Sequence, residues 1–345
     1  MCINEYDRWR LSGCIVDLVV QPLICLLGLI LNTLCLIVFC RARTHPLVPA
    51  LIVLSACDLL QLFFSLFVLF IPALHDFTNA ENFGPFAQLA YLSTGLLSPL
   101  LLASNCASIW TITYISVQRH KAILSPLQHM RRPPRPFGSL LVIVLSAMLF
   151  NALKWAEYNW RWIATKKDEK GNVTNWILVH EPSSLALDSL YRQTFDHILY
   201  PLCVYLIPLL VLTILNLRIL SHISLHRPSM DQKSRLSQER RSVTLLISIV
   251  ILFFICHTAG MAIRFLSQYE ETEWFIFFKD FTNLLFNFNS FANPMLYFFF
   301  TRQFRDLRVH LGFHNQCSPA TRCSVGGPKS LYTSTSFIDL PTETP

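Results

Sequence analysis

The chain has 345 residues, 14% of them charged and 53% apolar, with a formal net charge of +7. Soluble domains carry roughly a quarter charged residues, so this chain cannot cover a globular surface with charge, and a bilayer is its expected solvent. Nucleic acid is excluded as the partner behind the positive charge, because Lys and Arg stand in short clusters between apolar runs rather than along a stripe.

A helix that crosses a bilayer needs about 20 mostly apolar residues. Seven stretches qualify: 15–40, 48–74, 86–120, 137–160, 195–222, 241–267 and 275–300. The run from Leu18 to Cys40 is too long for the apolar part of a cleaved signal peptide and reads as a signal-anchor and first span. No charged residue lies between Asn82 and Gln118, so the third helix is the longest or the most deeply buried. Pro22, Pro72, Pro99, Pro208 and Pro294 fall inside spans, where membrane bundles tolerate kinks. Seven of the eleven cysteines (Cys25, Cys35, Cys40, Cys57, Cys106, Cys203, Cys256) also lie in spans and read as small packing residues.

Orientation follows from the loops. With the N-terminus outside, the inner segments hold seventeen Lys and Arg and the outer segments eight. The acceptor sequon at Asn172 lies in the long loop 161–196, which this topology places outside. The expected organisation is an extracellular N-terminus (1–14), an all-α bundle of seven transmembrane helices (15–300), a short amphipathic surface helix (301–313) and a disordered cytoplasmic tail (314–345). Cys317 and Cys323, just past the surface helix, are candidates for palmitoylation, with unmodified thiols as the alternative.

Polar residues inside a membrane are expensive, so each is a functional candidate. Asp58 is the only acid of the second span, and Asn32, Ser108, Asn289, Ser290 and Asn293 lie at similar depth. One carboxylate with several side-chain oxygens suits a small hard cation such as Na⁺. The same set would equally serve as a hydrogen-bonded plug that fixes helix packing.

Asn32, the run Leu54-Ser55-Ala56-Cys57-Asp58, Arg119 ending the third helix, Pro208 in the fifth, and Asn293-Pro294-Met295-Leu296-Tyr297 in the seventh resemble, in order, the signature positions of rhodopsin-like G-protein-coupled receptors. Phe304 follows at the spacing that family uses to start its surface helix. The resemblance implies a sodium pocket of Asp58, Ser108, Asn289, Ser290 and Asn293. It implies a packing switch of Ile109, Pro208 and Phe253, with Asn293, Pro294 and Tyr297 as further switch residues. Arg119 would meet the α subunit of a heterotrimeric G protein, and Glu239 would pair with it at rest, a latch that breaks as helices separate.

Several positions depart from the family pattern. Gln118 stands where an acid usually precedes the arginine, and His120 where a tyrosine follows. Cys256-His257-Thr258-Ala259 lacks the Trp and Pro of the sixth helix. Thr94 occupies the third-helix cysteine position, and the loop 161–196 has no cysteine, so both partners of the usual outer disulfide are absent together.

Within the family, Asn151-Ala152-Leu153-Lys154-Trp155-Ala156-Glu157, the Tyr205-Leu206-Ile207-Pro208 run and Phe253-Phe254-Ile255-Cys256-His257-Thr258 resemble FMRFamide-type neuropeptide receptors of invertebrates. The resemblance implies an extracellular amidated peptide as ligand, and arrestin as a partner suited to the Ser/Thr-rich tail. An arginine in such a peptide needs a carboxylate, and Glu157, ending the fourth helix, is the preferred candidate. Trp155, His257 and Asn283 complete the candidate ligand contacts. His257 reads either as a ligand-sensing switch or as a hydrogen-bonded core histidine. Trp160, Trp162 and Trp176 of the outer loop read first as interfacial anchors.

Enzymatic activity is not expected: the chain has no HExxH, no GxSxG and no cofactor loop. Two alternatives stay open. A transporter would need a continuous polar path, and a chemosensory receptor for a small molecule would use the same fold.

Overall fold

A computed structural model describes residues 8–41, 47–78, 84–125, 136–167, 173–225, 233–266, 269 and 272–300. Asn172, Cys317, Cys323, the surface helix and the tail lie outside the described residues, as does the side chain of Glu239.

Six helices are long and apolar enough to cross a membrane: α1 (Leu11–Arg41), α2 (Val48–Phe77), α3 (Pro85–Leu124), α4 (Pro136–Glu157), α5 (Ser189–His222) and the stretch Ile247–Phe265. That stretch closes the longer α6 (Lys233–Phe265), and α7 (Glu273–Phe300) is the seventh helix. Helix α7 is less apolar because Asn283, Asn287, Asn289 and Asn293 interrupt it. Helix α1 starts before the expected residue 15, so Cys14 belongs to its first turn.

Prolines shape the helices as their chemistry requires. A proline ring clashes with the carbonyl four residues back and offers no N–H. The chain answers with a wide π turn just before three of them: Val16–Val20 before Pro22, Leu66–Phe70 before Pro72, and Pro201–Leu206 before Pro208. Pro99 and Pro294 lie within continuous helix.

Helix α3 is the central post of the bundle. Its small buried residues (Ala103, Ser104, Ala107, Ser108) let neighbours approach closely. The main apolar cluster joins Ile109 and Ile112 of α3 to Leu54 of α2, Leu212 of α5, Phe253 of α6 and Tyr297 of α7. Large apolar side chains such as Leu141, Leu149, Ile214 and Phe254 point outward, the inside-out pattern of a bundle solvated by lipid.

The loop between α4 and α5 is a two-stranded antiparallel hairpin, β1 (Tyr158–Lys167) and β2 (Val173–Pro182). Its inward face buries Ile177 and Val179 against Ala87. The loop is shorter than 161–196, because α5 begins at Ser189 and takes Asp196 into the helix.

Candidate functional site

Two polar assemblies sit inside the bundle. The first centres on Asp58, which is fully buried in α2. Its Oδ1 accepts from Ser108 Oγ at 2.7 Å and from Ser290 Oγ at 3.1 Å, and its Oδ2 accepts from Asn293 Nδ2 at 2.9 Å. Three of the four expected companions therefore touch the carboxylate directly. Asn289 is buried beside them, with no hydrogen-bond partner at Nδ2, and Ser55 Oγ and Asn293 Oδ1 also lack partners. A buried polar group left unpaired costs about 1–3 kcal/mol, so these orphans mark space for water or a small ion. The oxygen-rich donor set with one carboxylate fits a hard cation such as Na⁺.

The same region carries ties that sequence reading missed. Asn32 Nδ2 donates to Ser290 O (3.1 Å), Gln61 Nε2 to Phe286 O (3.1 Å), and Ser65 Oγ to Asn287 Oδ1 (2.7 Å). Gln61 and Ser65 follow Asp58 at three and seven residues, the spacing of one helix face. That periodicity would have pointed to them.

Of the packing residues, Ile109 and Phe253 belong to one buried cluster, and Pro208 is buried on α5. Phe253 stacks on Tyr205 (5.9 Å between ring centres) and lies 4.5 Å from the His257 ring. Arg119 lies near the C-terminal end of α3, close enough to Tyr297 for the two to interact electrostatically.

The second assembly lies in the half of the bundle toward the hairpin. A narrow cavity of about 20 Å³ between α3, α5, α6 and α7 is lined by Asn105, Tyr200, Tyr205, His257, Arg264 and Phe286, among others. His257 is buried against Phe286, their rings 5.0 Å apart. Gly260 forms part of the wall, and a side chain there would collide with Phe286. Among the described lining residues none is acidic.

Glu157 does not line this cavity; it is already committed. Lys154 Nζ donates to Glu157 Oε1 at 2.6 Å and to Asp196 Oδ1 at 2.7 Å, and the Tyr191 hydroxyl donates to Glu157 Oε1 at 2.8 Å. Arg264 Nη1 stands 3.7 Å from Asp196 Oδ1. Glu157, the preferred partner for a ligand arginine, is thus paired within a chain of charges that links α4, α5 and α6. The i,i+3 spacing of Lys154 and Glu157 was the overlooked signal. Trp155 points elsewhere, its Nε1 donating to Leu96 O at 3.0 Å, and Asn283 is half-buried on α7 outside the lining set.

The hairpin is fastened to α3 without a disulfide between them. Gln88 acts as a one-residue strand, accepting from Leu178 N at 2.7 Å and donating to Leu178 O at 2.9 Å. Trp160 fills the space left by Gly95, where a Cβ would meet the indole at 2.7 Å. His180 packs among Tyr91, Tyr158 and Trp160, and its imidazole pKa is lowered by burial, with a hydrogen bond to the Tyr91 backbone opposing that shift. Cys14 is disulfide-bonded to a partner outside the described residues.

A family model described as "7 transmembrane receptor (rhodopsin family)" matches residues 31–297. The chain belongs to this family. It is therefore a multi-pass membrane receptor, and the family consists of receptors rather than enzymes. The receptor is 23% identical over 322 residues to the FMRFamide receptor of Drosophila melanogaster, covering 91% of this chain and 56% of that protein's length. It is 26% identical over 328 residues to the FMRFamide peptide receptor frpr-18 of Caenorhabditis elegans, covering 90% of this chain and 71% of that one. Lysophosphatidic acid receptor 5 of Bos taurus is 28% identical over 260 residues, covering 70% of this chain and 61% of its own.

Proposed function

We propose that this receptor detects an extracellular amidated peptide of the FMRFamide type in the outer cavity and signals through a heterotrimeric G protein. The observation that carries the reading is the cavity itself: aromatic walls from Tyr205, His257 and Phe286 with polar groups at Asn105 and Arg264. Apolar walls with a few placed polar groups are the usual lining of small-ligand sites, and a peptide terminus is such a ligand. The names of the Drosophila and Caenorhabditis relatives favour the peptide class.

The receptor lies in the plasma membrane with its N-terminus outside. The excess of inner Lys and Arg supports that orientation, as does the disulfide at Cys14, since disulfides persist in oxidising compartments. Ligand binding favours the state in which α6 moves away from α3 and exposes Arg119 to the G protein. Phe253 and His257 couple the two ends, because they connect the cavity wall to the buried cluster that holds Ile109. When bound, Na⁺ would supply positive charge at Asp58, held with Ser108, Asn289, Ser290 and Asn293, and would favour the resting packing. Arrestin reads the Ser/Thr-rich tail after phosphorylation.

Arg264 in a cavity with no acid among its described lining residues also suits a phosphate-bearing lipid, the class named by the bovine relative. A second-messenger assay in transfected cells separates the two readings. Amidated peptides evoke a response that lysophosphatidic acid does not; a response to the lipid alone at normal surface expression would reverse the assignment.

A further inference from the structure

A cavity of about 590 Å³ opens on the outside of the bundle, where the start of α5 meets the end of α6. Its lining includes Ser189, Arg192, Gln193, His197 and Ile198 of α5 and Phe265 of α6. All of these belong to membrane-crossing stretches, and Ile198 and Phe265 are 57% and 54% exposed. The cavity is therefore a groove that faces the bilayer. A wide turn of the backbone makes it. Arg192–Leu199 is a π turn, in which hydrogen bonds join residues five apart and so bring them to one side. Arg192 comes into line with His197, and Gln193 with Ile198; His197 Nδ1 lies 3.1 Å from Arg192 O. In an α-helix, at 3.6 residues per turn, the same pairs would point about 140° apart.

The groove is polar at one end and apolar at the other. Ser189, Arg192 and Gln193 form a polar band where α5 begins. Ile198 lies further into the span, and Phe265 supplies the α6 wall, its ring centre 6.2 Å from that of His197. Arg192 makes no ion pair among the described residues, although Asp188 precedes it by four positions. A guanidinium at the edge of the hydrocarbon without a counter-charge is costly and draws an anion. Its planar fork matches two oxygens of a phosphate, and Ser189 and Gln193 offer further donors alongside. An acyl chain joined to that phosphate reaches the apolar end of the same groove. One position from His197, Asp196 stands 3.7 Å from Arg264, so an occupant covers the α5–α6 seam from the lipid side.

We infer that this groove is a phospholipid site: Arg192 holds the phosphodiester, and one acyl chain lies along Ile198 and Phe265. The lipid comes from the leaflet on the hairpin side. A sterol or a diacylglycerol satisfies the apolar wall and leaves Arg192 without an anion; a soluble phosphate ester does the reverse. The site is separate from the cavity lined by His257 and Phe286, and it stands whatever ligand that cavity takes.

The test uses delipidated full-length receptor in an uncharged maltoside detergent, with a trace of phosphatidylcholine that carries a diazirine in one acyl chain. After illumination, mass spectrometry compares labelling of residues 193–198 and Phe265 with labelling of Leu141 and Leu149, outward residues of α4. The expected result is enrichment at the groove of about fivefold, the scale of one basic residue at a lipid surface. The enrichment disappears in Arg192→Gln, and a diacylglycerol with the same diazirine chain labels groove and α4 alike. Arg192→Lys keeps part of it, retaining the charge without the fork. Arg192 is exposed, so the variant folds; if its Tm nonetheless falls, Ser189→Ala with Gln193→Leu replaces it and lowers the enrichment by removing the flanking donors. Millimolar glycerophosphocholine, the head without chains, leaves the labelling unchanged. No enrichment in the wild type, equal enrichment with the diacylglycerol, or undiminished enrichment in Arg192→Gln overturns the proposal. Displacement by glycerophosphocholine also overturns it, in favour of a soluble phosphate ester.

Discussion

Asn293 on α7 donates its amide to Asp58 Oδ2 on α2 at 2.9 Å. The proline that follows, Pro294, frees a backbone carbonyl on the same helix, so the tie is anchored where α7 is least able to hold itself. Any movement of α7 must therefore break or re-form a bond to the middle of α2.

Replacing Asp58 by Ala leaves Ser108, Ser290 and Asn293 without an acceptor. At about 1–3 kcal/mol for each buried orphan, the Tm of purified receptor falls by about 5 °C or more. Asp58→Asn is milder, yet it removes the charge a cation needs. The wild-type Tm rises when N-methylglucamine chloride is exchanged for sodium chloride, and the Asn variant shows no such rise. Equal sodium shifts in both proteins would exclude Asp58 as a cation ligand.

Lys154 holds two acids at once, so Lys154→Met destabilises more than Glu157→Gln. Removing the lysine leaves Glu157 and Asp196 uncompensated in a partly buried place, a loss of about 3–5 kcal/mol by the usual cost of breaking such pairs. The glutamine keeps an acceptor for both Lys154 and Tyr191. Thermal denaturation of the two variants ranks them, and the reverse order would mean that Glu157 is the anchor.

The Gln88 clip predicts a local effect. In Gln88→Ala the Leu178 amide loses its partner, and its hydrogen exchange accelerates by roughly tenfold, the equivalent of about 1.4 kcal/mol. Amides of α2 keep their protection. Unchanged exchange at Leu178 would show that the Trp160–Gly95 contact alone seats the hairpin.

His180 gives the hairpin a pH dependence. Burial holds its folded-state pKa below the usual 6.5, so the unfolded state binds the proton more readily. The stability His180 contributes is complete above pH 6.5 and is lost as pH falls through the depressed folded value. The protection of hairpin amides, taken relative to the intrinsic exchange rate at each pH, therefore falls between pH 7 and pH 5 in the wild type and not in His180→Phe. A hairpin that tightens on acidification would reverse the sign.

The bundle was legible because each signal was strong and local: apolar runs of spanning length, Lys and Arg counts, prolines at intervals. Asp58 and its companions were legible for a related reason, since polar atoms in lipid are rare and their depth can be counted. The charge set on α4, α5 and α6 was not. Lys154, Asp196 and Arg264 meet only through helix packing, over separations of 42 and 68 positions in the sequence. Glu157 was singled out for its place at a helix end, and nothing in one sequence showed that Tyr191 and Asp196 converge with it on the same set. Asn105 was passed over because a single amide in a long apolar helix carries no period.

The most direct measurement is nucleotide exchange on purified G-protein heterotrimers, driven by the receptor in nanodiscs and titrated with amidated and free-acid forms of Phe-Met-Arg-Phe. The expected result is faster exchange with the amide, little with the acid, and none with either in Arg119→Ala of equal surface expression and ligand binding. Exchange unaffected by any amidated peptide across the heterotrimer types, or peptide-driven exchange that survives Arg119→Ala, would contradict the proposed receptor mechanism.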